Sequence, residues 1–155
     1  MRGTENIVFA TSVLGAGHIR DNKPCQDYSI AWQPKESGAV VLIVCDGHGG
    51  DTYVRSHVGS RLAAEITLEA VKEFIPVEGH HPDPEWIIGC QGEVHAHEQV
   101  GFGRGENKIF EALFETIYRR WLDAIEEDAQ ENPFTEHEHE CLGERKLVKA
   151  YGTTL

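Results

Sequence analysis

The stretch "VVLIVCDGHGGDTYVRSH", residues 40 to 57, constrains this chain more than any other. An apolar run rich in β-branched residues, Val40 to Cys45, has the character of a strand buried on both faces. It stops at Asp46, passes through Gly47, His48, Gly49 and Gly50, and changes period. From Asp51 onward Val54, Val58, Leu62 and Ile66 recur every fourth residue, followed by Ala70, Val71 and Phe74. That spacing predicts an amphipathic helix with Asp51 as its N-cap and Pro76 as its stop.

An aspartate at the carboxyl end of such a strand projects from a rigid platform. A lone carboxylate there needs a cation or hydrogen-bond donors. Gly47 lets a backbone carbonyl approach a ligand, and Gly49-Gly50 lets the chain turn sharply into the helix. This grammar suits a hard divalent cation with oxygen ligands. The competing reading is that Asp46 only caps the turn before the helix.

Around this unit the sequence predicts a strand at residues 7–14 (IVFATSVL) and a second at residues 27–32 (DYSIAW). Between them "GAGHIRDNKPCQ" reads as a loop. Residues 76–106 show no clear period and read mostly as loop, with a short strand around residues 86–89. A second helix is expected over residues 107–130, with Ile109, Phe110, Leu113, Phe114, Ile117, Trp121 and Ile125 as its buried stripe. Asn132-Pro133 ends it. A polar loop follows, then "LVKAYGTTL", which looks like the start of another strand.

With 155 residues the chain suffices for one domain. The formal net charge is −12, which argues against nucleic acid or an anionic membrane as a general partner. Twelve acids and three bases fall in residues 106–144, so most of that charge is one solvated stretch. Cys25, Cys45, Cys90 and Cys141 form no C-x-x-C pair, and no N-terminal signal segment is evident, so a reducing cytoplasm is the expected location.

"VVLIVCDGHGGDTYVRSHVGSRLA" resembles the strand-DGHGG-helix signature of the metal-dependent type 2C protein Ser/Thr phosphatases. Two further segments agree in order: "GHIRDNKPCQDYS" resembles the early motif with a phosphate-binding Arg before an acidic pair, and "AYGTTL" the later Gly-Ser/Thr-Thr strand. The resemblance implies an α/β (α+β) fold, a four-layer α-β-β-α sandwich with mainly antiparallel sheets, of which residues 1–155 would be the N-terminal part. It implies two Mn²⁺ or Mg²⁺ ions that activate a water, with Asp46 bridging them, the Gly47 carbonyl and Asp27 as further ligands, and His48 as general acid. It implies Arg20 as the phosphate-binding residue and phosphoproteins as substrates. Gln26-Asp27 stands where many members have Glu-Asp, and Arg20 lies two residues further from Asp27 than is common. The His ahead of Pro-Cys-Gln-Asp is similar to a bacterial subgroup. Because further metal-binding aspartates follow the Gly-Thr-Thr strand in that family, these 155 residues are expected to be silent alone and to self-associate through unfinished sheet edges.

Two rival readings belong to other classes. One is a zinc module built from His137, His139 and Cys141 with His95 and His97, although H-x-H-x-C lacks the spacing of a known zinc knuckle. The other is a non-catalytic regulatory domain on the phosphatase scaffold. "GFGRGEN" at residues 101–107 fits no nucleotide-binding pattern and reads as a connector. His57 reads as a helix-surface residue and Cys45 as a small core group.

Overall fold

The computed structural model describes residues 7–34, 39–74 and 104–155. Short helix α1 (Ala16–Arg20) leads into β1 (Tyr28–Trp32), which pairs antiparallel with β2 (Val41–Gly47). Helix α2 (Ser56–Phe74) follows. Long helix α3 (Arg104–Glu131) precedes α4 (Glu136–Leu142), the single turn α5 (Leu147–Ala150) and β3 (Thr153–Thr154), which closes on the other side of β2. The sheet order β1-β2-β3 is antiparallel throughout, with α2 packed across β1 and β2 and α3 across α2. This mixed α and β architecture agrees with part of the expected sandwich.

The core forms where β2, α2, α3 and the chain before β3 meet: Ile43, Cys45, Ala63, Ala64, Trp121, Ile125, Ala150 and Tyr151 are all buried. Register explains the sheet's share. Tyr28 faces Cys45 and Ile30 faces Ile43 across the β1–β2 ladder, so all four lie on the side that α2 covers. Burial of Cys45 pushes its thiol up to about 11, as a small core group requires.

The expected double burial of Val40 to Cys45 is not found. Burial along β2 alternates, with Ile43 at 5% exposure but Leu42 at 65% and Val44 at 69%. Among the described residues a helix covers one face of β2 and nothing covers the other. Residues 7–14 are also not a strand: they pair with no ladder among the described residues, and Ile7, Phe9 and Val13 are exposed. A side-chain contact, Ser12 Oγ to Ser29 Oγ at 3.0 Å, ties that segment to β1.

Two other expectations are corrected, while the expected stripe of Val54, Val58, Leu62 and Ile66 does pack, partly buried, against the core. Asp51 is not the cap of α2, because the helix begins five residues later and Asp51 instead lies 3.8 Å from the Lys23 ammonium. The most buried face of α2 is made of small residues, Ser56, Gly59, Ser60, Ala63, Ala64 and Thr67, because the helix is pressed between sheet and α3. The stripe of α3 is buried only in its second half, at Ile117, Trp121 and Ile125; Phe110 and Phe114 are exposed. The side chain of Ile109, residues 76–103 and the strand expected at 86–89 lie outside the described residues.

The polar loop expected after Pro133 contains α4, opened by a capping box. The Thr135 side chain accepts from the Glu138 N–H while the Glu138 carboxylate accepts from the Thr135 N–H. The sequence Thr-Glu-His-Glu carries that signature openly. Among the described residues, no helix is long and apolar enough to cross a membrane.

Candidate active site

Asp46 sits at the end of the central strand with neighbours on both sides. The β1–β2 register, extended by one residue, sets Asp27 opposite Asp46 on the open face of the sheet. The Asp27 carboxylate is close enough to meet the Gly47 N–H at 3.4 Å. On the other side Asp46 pairs with Thr154 and Gly47 with Thr153, whose hydroxyl donates to the Asp46 carbonyl at 2.9 Å. Two like charges directly opposed across neighbouring strands repel each other. A cation between them relieves that repulsion.

The turn after Asp46 is held from beneath. A Cβ on Gly47 would stand 2.3 Å from the Gln26 carbonyl oxygen and 2.5 Å from Ser56 Oγ, so no side chain fits there. Gln26 is buried; its amide nitrogen donates to the His48 carbonyl at 2.9 Å, and its backbone carbonyl accepts from Ser60 Oγ. Its Oε1 has no donor among the described residues. His48 N–H donates to the Gly152 carbonyl at 3.3 Å, and the imidazole meets the Tyr53 ring edge-on, centroids 4.6 Å apart. The His48 backbone is thus held by Gln26 and by Gly152 just before β3, and its ring meets Tyr53.

Asp27, Asp46 and the Gly47 carbonyl form an oxygen-only donor set, the type that Mg²⁺ and Mn²⁺ take. Its chemistry fits a hard divalent cation. Among the described residues no three of His, Cys, Asp and Glu converge on one point, so water would complete the shell of any ion held here.

The structure brings Asp27, Asp46, Gly47 and His48 together. It does not bring Arg20 to them: on the exposed α1, Arg20 binds its neighbour Asp21 through Nε at 2.9 Å and Nη2 at 3.3 Å. The rival zinc ligands are also dispersed. His137 Nε2 and Cys141 Sγ lie 3.7 Å apart on one face of α4, whereas His139 turns to the ring of Phe134. His95 and His97 lie outside the described residues.

Sequence reasoning missed Arg55. Buried to 8% side-chain exposure, it binds Glu138 and Asp128, the Asn132 and Pro133 carbonyls and the Tyr151 hydroxyl, and lies 3.9 Å over the Phe134 ring. It thereby ties the start of α2 to the end of α3, to α4 and to the residue before Gly152, which carries His48. The bidentate Glu138 contact raises the Arg55 pKa further, against the opposing effect of its burial.

A family model described as Protein phosphatase 2C matches residues 14–155. No curated protein and no solved structure gives a significant match. The match spans all the site residues named above, and with a mixed α/β fold that sets two aspartates and a histidine at one strand end, the chain belongs to the protein phosphatase 2C family.

Proposed function

We propose that this chain supplies metal-binding and catalytic residues for the metal-dependent phosphomonoester hydrolysis of a protein Ser/Thr phosphatase, acting on phosphoserine and phosphothreonine in proteins. The observation that supports it most is the Asp27 carboxylate reaching the Gly47 N–H at the end of β2, with Asp46 just before it and His48 just after. Asp46, Asp27 and the Gly47 carbonyl would hold Mg²⁺ or Mn²⁺; once bound, such ions polarise phosphoryl oxygens and acidify water.

The chain's own residues supply the rest. In the hydrolysis a water oxygen bonds to phosphorus as the bond to the serine or threonine oxygen breaks, and His48 gives its proton to that departing oxygen. An imidazole suits the task because its ordinary pKa lies near neutrality. Gln26, through the His48 carbonyl, and Tyr53, through the ring, limit where that proton is delivered. Arg20 is assigned to the phosphate oxygens, for which it would exchange Asp21. The cysteine pattern and the bacterial-type Pro-Cys-Gln-Asp segment support a bacterial cytoplasmic setting.

The test is hydrolysis of a phosphothreonine peptide with Mn²⁺ and with excess chelator, by a protein extended beyond Leu155 and by its Asp46→Ala variant. Chelation should abolish turnover, and the substitution should lower it by about 10²-fold or more. Equal, chelator-insensitive turnover by both proteins would sink the reading.

A further inference from the structure

Beside His48 lies an open cleft of about 670 Å³, lined by His48, Tyr53, Arg145, Lys146, Lys149 and Gly152. Its charge runs against that of the chain, whose net is −12. Arg20, Lys23, Arg55, Arg61, Lys72 and Arg120 each have a carboxylate within 4 Å. Among the described residues, Arg145, Lys146 and Lys149 have none. Glu144 is the one acid in the lining, so the cleft stays positive.

Lys149 is held in place rather than free to wander. Its ammonium donates to the Tyr53 hydroxyl and sits 4.0 Å over the same ring whose edge meets His48. A fixed cation therefore stands one aromatic ring away from the proposed acid, with an arginine and a second lysine beyond it. Carboxylates are the ligands such a set takes: the guanidinium forks onto two oxygens and the ammoniums act as point charges.

We propose that this cleft receives acidic side chains flanking the phosphorylated residue of the substrate, so that the enzyme prefers phosphosites in acidic sequence. The substrate assignment rests on the phosphatase reading; recognition of an acidic segment by the cleft does not. Attraction at partly exposed positions is screened by salt, so the preference should be steepest at low ionic strength.

The experiment measures fluorescence anisotropy of labelled, unphosphorylated peptides with the full chain in chelator. One peptide carries Asp and Glu on both sides of a serine, a second carries Asn and Gln there, and a third carries Lys. The acidic peptide should bind about 10-fold or more tightly than the amide peptide, a difference of about 1.4 kcal/mol. Arg145→Gln with Lys146→Gln should erase the preference, and Arg145→Glu with Lys146→Glu should invert it; both side chains are exposed, and circular dichroism checks the fold. Equal affinity for the three peptides, or a preference unchanged in the Gln variant, overturns the proposal. So does inorganic phosphate displacing all three peptides alike, which would make the cleft a phosphoryl site only. An acidic preference together with no phosphoester hydrolysis by a protein extended beyond Leu155 would support the cleft and sink the phosphatase reading instead.

Discussion

Arg55 and Glu138 meet across 83 residues of sequence as a two-point ion pair, Nε to Oε1 at 2.9 Å and Nη2 to Oε2 at 3.2 Å. Glu138 is at once the capping-box partner of Thr135 at the start of α4 and the main counter-ion of the buried arginine. One carboxylate therefore fixes a helix start and joins it to the end of α3 and the beginning of α2.

Removing one partner of a buried pair leaves the other charge without compensation. Arg55→Met should cost about 3–5 kcal/mol, because Asp128, Glu138 and two backbone carbonyls lose their shared donor. Urea unfolding should show a lower midpoint at unchanged slope. A double-mutant cycle with Glu138→Gln should return a coupling of at least about 1 kcal/mol.

Acid should weaken the fold in a defined window. The Arg55 guanidinium, with help from the Thr135 N–H and hydroxyl, pulls the Glu138 carboxyl down to about 2. A depressed carboxyl stabilises fully above its ordinary value near 4.5, and its contribution fades as pH falls toward 2. The loss should reach about 2–3 kcal/mol, and Glu138→Gln should remove this limb from a stability-versus-pH curve. His57 adds a limb of the same sign at higher pH. Burial, then the neighbouring Arg55 charge, lower its pKa below the usual histidine value, so its share is lost as pH falls below about 6.5.

Much of the site was legible because its determinants are local. Strand, acid, glycines and helix follow one another within residues 40–57, and the two flanking motifs fall in order. The capping box at Thr135 was equally local, and a close reading of Thr-Glu-His-Glu finds it. What stayed hidden depends on distant parts of the chain. Arg55 draws partners from 73 to 96 residues away, and nothing next to it announces them. The exposed face at Leu42 and Val44 was hidden for a related reason: an apolar run records what a strand can bury, not which layer covers it. The partner of Arg20 was not legible either: its neighbour Asp21 holds the guanidinium on the exposed α1.

Close packing at α2 gives a third prediction. A Cβ on Gly59 would stand 1.9 Å from the Tyr151 carbonyl oxygen, and the Trp121 indole N–H already donates to the Gly59 carbonyl at 3.0 Å. Gly59→Ala must push α2 away from the chain leading into β3. The gain in helix propensity, about 1 kcal/mol, cannot offset overpacking of about 1–3 kcal/mol or more against rigid backbone. Thermal unfolding should show a net loss, whereas a glycine-to-alanine change at an open helical site would show a gain.

The role assigned to His48 can be separated from that of the aspartates by the leaving group. An alkoxide from threonine is strongly basic and departs only with a proton, whereas an aryl oxide carries its charge unaided. His48→Ala should therefore slow hydrolysis of a phosphothreonine peptide by about 10²-fold and that of an activated aryl phosphate by far less, since general acid catalysis acts only where the leaving oxygen needs it. Asp46→Ala should slow both substrates alike, because it affects the phosphoryl end of the reaction. Because Tyr53 meets the imidazole while Gln26 holds the His48 backbone, Tyr53→Leu should produce a weaker copy of the same pattern. Equal slowing of the two substrates by His48→Ala would remove the imidazole from proton transfer and leave it a part of the turn.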